Sequence, residues 1–155
     1  MATQITSLET SHFPVMLSEI ILFSTPNKGG VYVDCTFGGG GYSKALLKFK
    51  RVKVIGVDRD KAVESIAKKF QNKFKDRFTF YRIKFSQIDT IINYGVDTFI
   101  FDLGLSSIQL HDLKRGFSFK SKDNLDMSMG LSDLSAQEAI NNLSESQLKL
   151  IIRIL

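Results

Sequence analysis

The chain has 155 residues, of which 43% are hydrophobic and 24% are charged, a composition typical of one globular domain and not of a disordered chain. No apolar run approaches the roughly 18 residues that a membrane-spanning helix needs, and residues 1–9 lack the basic start and apolar stretch of a signal peptide. The single cysteine, Cys35, excludes an internal disulfide framework and a zinc site built from cysteines. We therefore expect a cytoplasmic protein with no membrane association and no metal.

The charge is distributed unevenly. Residues 44–84 contain 14 of the 21 Lys and Arg but only 4 of the 16 Asp and Glu, a local balance of +10 against −5 for the rest of the chain. Such asymmetry is typical of a surface that binds a polyanion such as RNA. A solvated, lysine-rich helix face would explain it equally well.

The first two thirds of the chain alternate between strand and helix patterns. Runs rich in β-branched and aromatic residues predict strands at 31–35, 51–57, 78–83 and 97–103. Helices are predicted at 43–49, after a cap at Asp60, and after a cap at Ser86 with a stop at Gly95. The fourth strand is apolar enough for burial on both faces. The alternation predicts an α/β fold with a doubly wound parallel sheet and right-handed crossovers.

The pattern changes after residue 104. Residues 105–134 show little periodicity, and a connection of this length is either functional or loosely ordered. Capping boxes at Ser135 with Glu138 and at Ser144 with Gln147 predict two further helices. The second helix would carry one apolar face, formed by Leu148, Ile151, Ile152 and Leu155. The chain ends on this helix with no C-terminal glycine, cap or polar tail, so we expect a sequence that has been cut.

The strongest chemical signal is a glycine run that follows the first predicted strand and precedes a helix. It extends from Asp34 through four consecutive glycines, 38–41. Glycines let a ligand approach the backbone closely, and the start of a helix offers free N–H groups. Asp58 stands about 24 residues further on, at the end of the second predicted strand, where a carboxylate can accept both hydroxyls of a ribose. The pattern predicts a nucleoside cofactor.

The spacing and charge of this loop favour one class of cofactor. A dinucleotide fingerprint needs a sixth-position glycine, and this chain has Ser43 or Lys44 there. Asp34 would also place a carboxylate near a pyrophosphate, whereas S-adenosylmethionine carries a sulfonium and an ammonium that a carboxylate attracts. The loop therefore favours a methyl donor. A purely structural glycine loop stays open as an alternative.

Six ordered blocks give the chain a specific resemblance. They are HFPVMLSE at 12–19, DCTFGGGG at 34–41, DRD at 58–60, FDLGLSSIQL at 101–110, RGFSF at 115–119 and LDMSM at 125–129. Together they resemble the bacterial small-subunit ribosomal RNA cytosine N4-methyltransferases of the H type. The resemblance implies a Rossmann-like class I methyltransferase that transfers a methyl group from S-adenosyl-L-methionine to the exocyclic amine of a cytosine in 16S ribosomal RNA.

The resemblance also implies roles for particular residues. By motif position, the cofactor contacts would be Gly40, Gly41, Tyr42, Asp58, Phe85, Asp102 and Gln109. Asp58 would bind the ribose and Phe85 would stack on or enclose the adenine. Asp102 would lie where donor and acceptor meet, and it is also the best candidate to hold the cytosine amine. No residue is assigned as catalytic.

Simpler interpretations accompany these assignments. Asp34 and Asp58 would then only cap helices or pair with Lys53 or Arg59, and His12 would only anchor the N-terminal arm. The two phenylalanines at 117 and 119 would either help to seat an extruded base or pin the long loop to the core.

The chain departs from the family pattern at two positions and in length. The family usually has histidine at Tyr42 and arginine at Ser128. The resemblance divides the chain into an N-terminal arm (1–30), a cofactor-binding α/β core (31–110) and a long loop with the start of a helical insert (111–155). We expect a truncated member whose fourth strand lies on an open sheet edge and which binds the cofactor without appreciable methylation. The alternative is a non-catalytic RNA- or cofactor-binding remnant; a nicotinamide-dependent oxidoreductase is disfavoured by the glycine spacing.

Overall fold

The structure, a computed structural model, describes residues 14–122, 124–131 and 134–154. Its centre is a parallel sheet in the order β3-β2-β1-β4. The strands are β1 (Gly30–Asp34), β2 (Val52–Asp58), β3 (Phe78–Arg82) and β4 (Thr98–Ile100). The predicted α/β fold with a parallel sheet is confirmed, and this strand order is that of a doubly wound sheet around its switch point between β1 and β4. His12 and Leu155 lie outside the described residues.

Helices connect and follow the strands. The α-helices of the described residues are α1 (Leu17–Ser24), α2 (Gly41–Leu46), α3 (Glu64–Phe74), α4 (Ser107–His111), α5 (Ala136–Asn142) and α6 (Glu145–Ile154). Single 3₁₀ turns lie at Pro26–Lys28, Lys61–Val63, Lys75–Arg77 and Leu113–Arg115, and a longer 3₁₀ segment spans Phe85–Thr90. None of the helices in these described ranges has the length and hydropathy to cross a bilayer.

The two faces of the sheet are covered differently. One face carries Tyr32, Val54 and Phe78, which pack against α1, α2 and α3. Because side chains alternate along a strand, the residues between them, Val33 and Ile55 among others, point to the opposite face. There they pack against side chains of the segment after β3: Ile83, Ile88, Ile91, Ile92 and Val96.

The predicted capping residues are confirmed at three of four positions. The side chain of Asp60 accepts the N–H of Ala62 at 3.0 Å and begins the turn that leads into α3. Ser135 and Glu138 exchange hydrogen bonds at the start of α5. Ser144 and Gln147 do the same at the start of α6.

The predicted cap at Ser86 is wrong. The segment is a 3₁₀ helix that begins at Phe85, so Ser86 lies inside it. The Gln87 side chain takes the capping role, because its Oε1 accepts the Lys84 N–H at 3.3 Å. The backbone N–H of Gln87 donates to the Lys84 carbonyl at 2.9 Å. Gln87 has a non-helical backbone, with φ −110°, and this residue interrupts a regular helix.

Strand β4 is shorter and more exposed than predicted. It lies at the edge of the sheet, where it pairs with β1. Ile100 is buried against the α-helical face, whereas Phe99 and Phe101 are 45% and 50% exposed. The prediction of burial on both faces is wrong, because the described elements cover this part of the opposite face only in part. The expectation of an open edge is confirmed.

Candidate functional site

The glycine loop joins β1 to α2 and is shaped by two close contacts. Gly40 has φ +74°, and a Cβ placed on it would lie 2.7 Å from Phe70 Cζ and 2.9 Å from Phe37 Cζ. A Cβ on Gly41 would overlap the ring of Pro14. Gly39 is different, because nothing lies within 4 Å of its Cβ position. The loop is therefore closed on the side of Gly40 and Gly41 and open at Gly39, where a ligand has access to the backbone.

Asp58 fastens this loop to the end of β2. One carboxylate oxygen, Oδ2, accepts the N–H of Gly38 at 2.8 Å, and the other accepts the N–H of Asp60 at 2.9 Å. Burial raises the pKa of Asp58 above its usual value. Each carboxylate oxygen has a second acceptor position, so hydroxyl groups of a ribose can still bind there. The same contacts also support the simpler interpretation of Asp58 as a cap.

Asp34 is the last residue of β1, just before the glycine loop, and it is completely buried. Its Oδ2 accepts the Ser43 hydroxyl at 2.7 Å, while its Oδ1 has no hydrogen-bond partner in the described part of the chain. Burial raises the pKa of Asp34 to about 6, against the opposing effect of the Ser43 hydroxyl and of the backbone N–H groups of Thr36 and Ser43. A buried carboxylate oxygen without a hydrogen-bond partner among the described residues, in a group whose pKa is raised, marks this corner as a candidate site for a ligand.

Tyr42 and Asp102 link the loop to the end of β4. The backbone N–H of Asp102 donates to Thr36 Oγ1 at 2.8 Å, and Asp102 Oδ2 lies 3.1 Å from the Tyr42 hydroxyl. The same hydroxyl lies 2.7 Å from the carbonyl oxygen of Val15. Burial and the charge of Asp102 raise the pKa of Tyr42 to about 12, so the hydroxyl keeps its proton at neutral pH. It can donate that single proton to only one of these acceptors at a time.

Phe85 and Gln109 lie in contrasting environments. Phe85 is exposed, and its ring meets the ring of Phe101 edge to face with centroids 5.6 Å apart. Gln109 is 4% exposed. Its Oε1 accepts the Ser106 N–H and its Nε2 donates to Asp60 Oδ2, both at 2.9 Å. The assignment of both residues as cofactor contacts stays a prediction. The oxygen and the nitrogen of the Gln109 side-chain amide each already have a hydrogen-bond partner.

A buried ion pair ties the long loop to the same corner, and the sequence-based assignments did not include it. Arg115 Nη1 lies 2.6 Å from Asp60 Oδ2, and Arg115 Nη2 donates to the Ser128 carbonyl at 2.6 Å. Although burial opposes the change, hydrogen bonds from Ala62, Arg115 and Gln109 hold the pKa of Asp60 below its usual value. The signal in the sequence was the RGFSF block, whose arginine lies in a segment that otherwise lacks periodicity.

These contacts define the class of the protein. Three carboxylates lie at the ends of β1, β2 and β4, beside a glycine loop that opens at the switch point of a parallel sheet. Such sheets bind nucleoside-containing ligands in the crevice outside the carboxyl ends of their strands. The chain belongs to the MraW methylase family, whose sequence profile matches residues 9–155, so the resemblance inferred from the six blocks is confirmed.

Curated relatives have a consistent name. The chain is 41% identical over 147 residues to the ribosomal RNA small subunit methyltransferase H of Ehrlichia ruminantium (strain Welgevonden), covering 91% of this chain and 49% of the relative. It is 41% identical over 143 residues to the protein of that name from Orientia tsutsugamushi (strain Boryong), covering 91% and 46%. A solved structure of a putative rRNA-methylase from Clostridium thermocellum is 27% identical, with a TM-score of 0.43, over 55% of this chain and 52% of the other. The chain spans about half the length of the curated relatives it matches.

Proposed function

We propose that the chain binds S-adenosylmethionine and forms the donor-binding part of a methyltransferase that acts on N4 of a cytosine in small-subunit ribosomal RNA. The observation that carries the proposal is the unpartnered, buried Asp34 oxygen beside a glycine loop that is open at Gly39. The cofactor carries a sulfonium and an ammonium, and a buried carboxylate attracts both cations. The names of the curated relatives support ribosomal RNA as the substrate.

The residues of the crevice suit different parts of this cofactor. Backbone groups at Gly39 are accessible, Asp58 offers acceptor positions to the ribose, and the exposed ring of Phe85 offers a face to the adenine. Asp34 supplies negative charge to the methionine end. The bound cofactor would supply the methyl group, and the residues of the chain would hold the cofactor in position.

The acceptor half of the reaction depends mainly on orientation. A cytosine amine is a poor nucleophile because its lone pair is delocalised into the ring. A carboxylate that accepts a hydrogen bond from the amine N–H would align the nitrogen with the donor, and alignment of this kind lowers barriers substantially. We assign this role to Asp102, which lies after the edge strand and is held by Thr36 and Tyr42. The bound cofactor would supply the methyl group in exchange for one amine proton, which would pass to solvent.

Calorimetric titration tests the cofactor assignment. We expect S-adenosylmethionine to bind and NAD not to bind. Asp58→Ala should weaken binding by about 1.5–3 kcal/mol, roughly 10- to 150-fold, because it removes hydrogen bonds to a charged acceptor. Asp76→Ala is the matched control. Asp76 is an exposed carboxylate in the turn before β3, so it lies at the amino ends of the strands, whereas Asp58 lies at their carboxyl ends. Tight NAD binding, or equal affinities for the two variants, would contradict the proposal.

A second candidate function is RNA or cofactor binding without catalysis. It is favoured by the basic segment 44–84, in which every Lys and Arg is exposed except the half-buried Arg59 and Arg77. If about five of these cations contact phosphates, log K for a single-stranded RNA should fall with log salt at a slope near −3.5. A slope near zero would mean that the lysines form only a solvated face.

A turnover assay can exclude the second candidate function, although both candidates expect a low rate for this chain. With radiolabelled donor and under-methylated small ribosomal subunits, we expect this 155-residue chain to bind donor but transfer little label into the cytosine. The reason is that the described residues hold the donor side of the crevice but leave the β4 edge open. A rate comparable to that of a full-length relative would exclude the non-catalytic candidate.

A further inference from the structure

The segment 113–122 forms a closed turn with one fully exposed aromatic ring. The N–H of Ser121 donates to the Ser118 carbonyl at 2.9 Å, and the Ser121 hydroxyl donates to the Leu113 carbonyl. The turn is therefore ordered by its own hydrogen bonds. Phe119 nevertheless extends into solvent with its whole side chain exposed. A large apolar side chain held in water by an ordered turn is unusual for a residue with only a packing role.

The neighbouring Phe117 behaves differently. It is half-buried, and the guanidinium carbon of Arg115 lies 5.4 Å from the centre of its ring. Arg115 is itself fixed by Asp60. Phe117 therefore packs on a side chain that is itself fixed to the protein, whereas the Phe119 side chain is exposed to solvent. The sequence left two roles open for this pair, and the two rings differ in burial and contacts.

Lysines flank the exposed ring in the sequence. Lys114, Lys120 and Lys122 are exposed, and the segment 113–122 contains no acidic residue, although Asp112 and Asp123 flank it in sequence. An aromatic face combined with cations is the arrangement by which proteins bind unpaired nucleobases, with stacking on the ring and the cations on the phosphates.

The turn is anchored beside the candidate cofactor site. Arg115 contacts Asp60, which is two residues after Asp58. Phe119 lies four positions after Arg115, so its Cα lies within roughly 14 Å of the Arg115 Cα, given about 3.5 Å per residue for an extended chain. The turn is therefore tethered near the carboxyl ends of the strands, where a substrate base must be presented to a donor.

We propose that Phe119 stacks on an unpaired base of the RNA substrate, with Lys114, Lys120 and Lys122 placed to contact the adjoining phosphates. This inference rests on the proposed function, and it assigns Phe119 to the binding of the RNA that accepts the methyl group. A base that leaves its stack to react loses stacking energy, and the Phe119 ring offers a replacement surface.

The chain contains no tryptophan, which allows a direct test. Phe119→Trp introduces a single indole, and stacking of a base on it should quench its fluorescence during titration with a short single-stranded RNA. An abasic ribose-phosphate oligomer of equal length should bind to the lysines without this quenching. Phe23→Trp is the matched control, since Phe23 is exposed on α1, and it should show no base-dependent change.

Affinities of three further variants test the same contact. Phe119→Ala should weaken binding of the single-stranded RNA by roughly 5- to 150-fold, the range for loss of one stacked base. Phe119→Leu should weaken it similarly because it keeps apolar area but lacks an aromatic face, and Phe119→Tyr should bind like the unchanged chain. Equal affinities for the alanine and tyrosine variants would overturn the proposal.

Other occupants of this turn give different results. A fluorescence change of Phe119→Trp that depends on protein concentration alone would indicate a second copy of the chain, and a change with anionic phospholipid vesicles but not RNA would indicate a membrane surface. Either result would overturn the proposal. Calorimetry with S-adenosylmethionine separates the two levels: loss of RNA stacking with intact donor binding refutes only the Phe119 contact, whereas absent donor binding refutes the proposed function.

Discussion

Strands β2 and β4 both end beside a carboxylate of the candidate site, but their surroundings differ. β2 lies between β1 and β3, and its Val52, Val54 and Val57 side chains are buried. β4 is an edge strand that leaves Phe99 and Phe101 about half exposed. In the described residues, the β1–β2 corner is covered by packing partners, whereas the β4 side is partly uncovered. We therefore expect donor binding to depend on the β1–β2 corner and substrate positioning to depend on the exposed β4 side.

The largest expected effect concerns the ion pair that fixes the long loop to this corner. Arg115→Met removes the charged partner of the buried Asp60 carboxylate and should destabilise the fold by up to about 3–5 kcal/mol, because a buried charge remains with only neutral hydrogen-bond donors. Arg82→Met is the control, since its partner Glu64 and Arg82 itself are substantially exposed. That exchange should change stability by less than about 1 kcal/mol. Urea unfolding at neutral pH measures both.

The effect of Arg115→Met should also depend on pH. In the unchanged chain the pKa of Asp60 is lowered, so Asp60 contributes stability above its unfolded-state pKa and loses this contribution as the pH falls through its folded-state value. Without Arg115, burial of the charge is no longer opposed as strongly, and protonation of Asp60 relieves it. The difference in the free energy of unfolding between the unchanged chain and Arg115→Met should therefore shrink from pH 7 to pH 4. A difference that stays constant would mean that Arg115 stabilises through packing alone.

The second effect concerns the glycine loop. Gly40→Ala should destabilise the fold by about 2–4 kcal/mol, because alanine is strained at φ +74° and its Cβ would overlap the rings of Phe37 and Phe70. Gly39→Ala has open space around its Cβ, so it should leave stability nearly unchanged and weaken donor binding if the ligand approaches there. Unfolding and calorimetric titration of both variants separate packing from ligand access. Equal destabilisation would contradict the assignment of Gly39 as the open position.

The fold was largely predictable because its signals are local. The strands at β1 and β2 follow from short β-branched runs, and α3 follows from apolar spacing after Asp60. The 3₁₀ segment at Phe85–Thr90 was not predictable in this way, because a side-chain contact from Gln87 replaces the expected serine cap. The exposure of Phe99 was missed when β4 was considered as an isolated apolar run, since burial depends on which elements cover a strand.

The candidate site was predictable only in part. The motif positions identified Asp58, at the end of β2, and Asp102, just after β4; these two strands flank β1. They did not identify the Asp60–Arg115 pair, since its residues are 55 positions apart and no local pattern connects them. Nor did they separate Phe117 from Phe119, whose difference arises from the contact of one ring with Arg115.

The smallest expected effect is a pH dependence of donor binding through Asp34. Its pKa is raised to about 6 by burial, so the free chain protonates this carboxyl more readily than an unfolded chain does. A cationic ligand favours the ionised form, and its affinity should therefore fall about tenfold from pH 7 to pH 5, with net release of a proton on binding near pH 6. Asp34→Asn should bind weakly at both values, without this slope. Asp58, whose pKa is also raised, provides the matched comparison: a slope that persists in Asp34→Asn and disappears in Asp58→Asn would transfer the effect to the ribose end of the site.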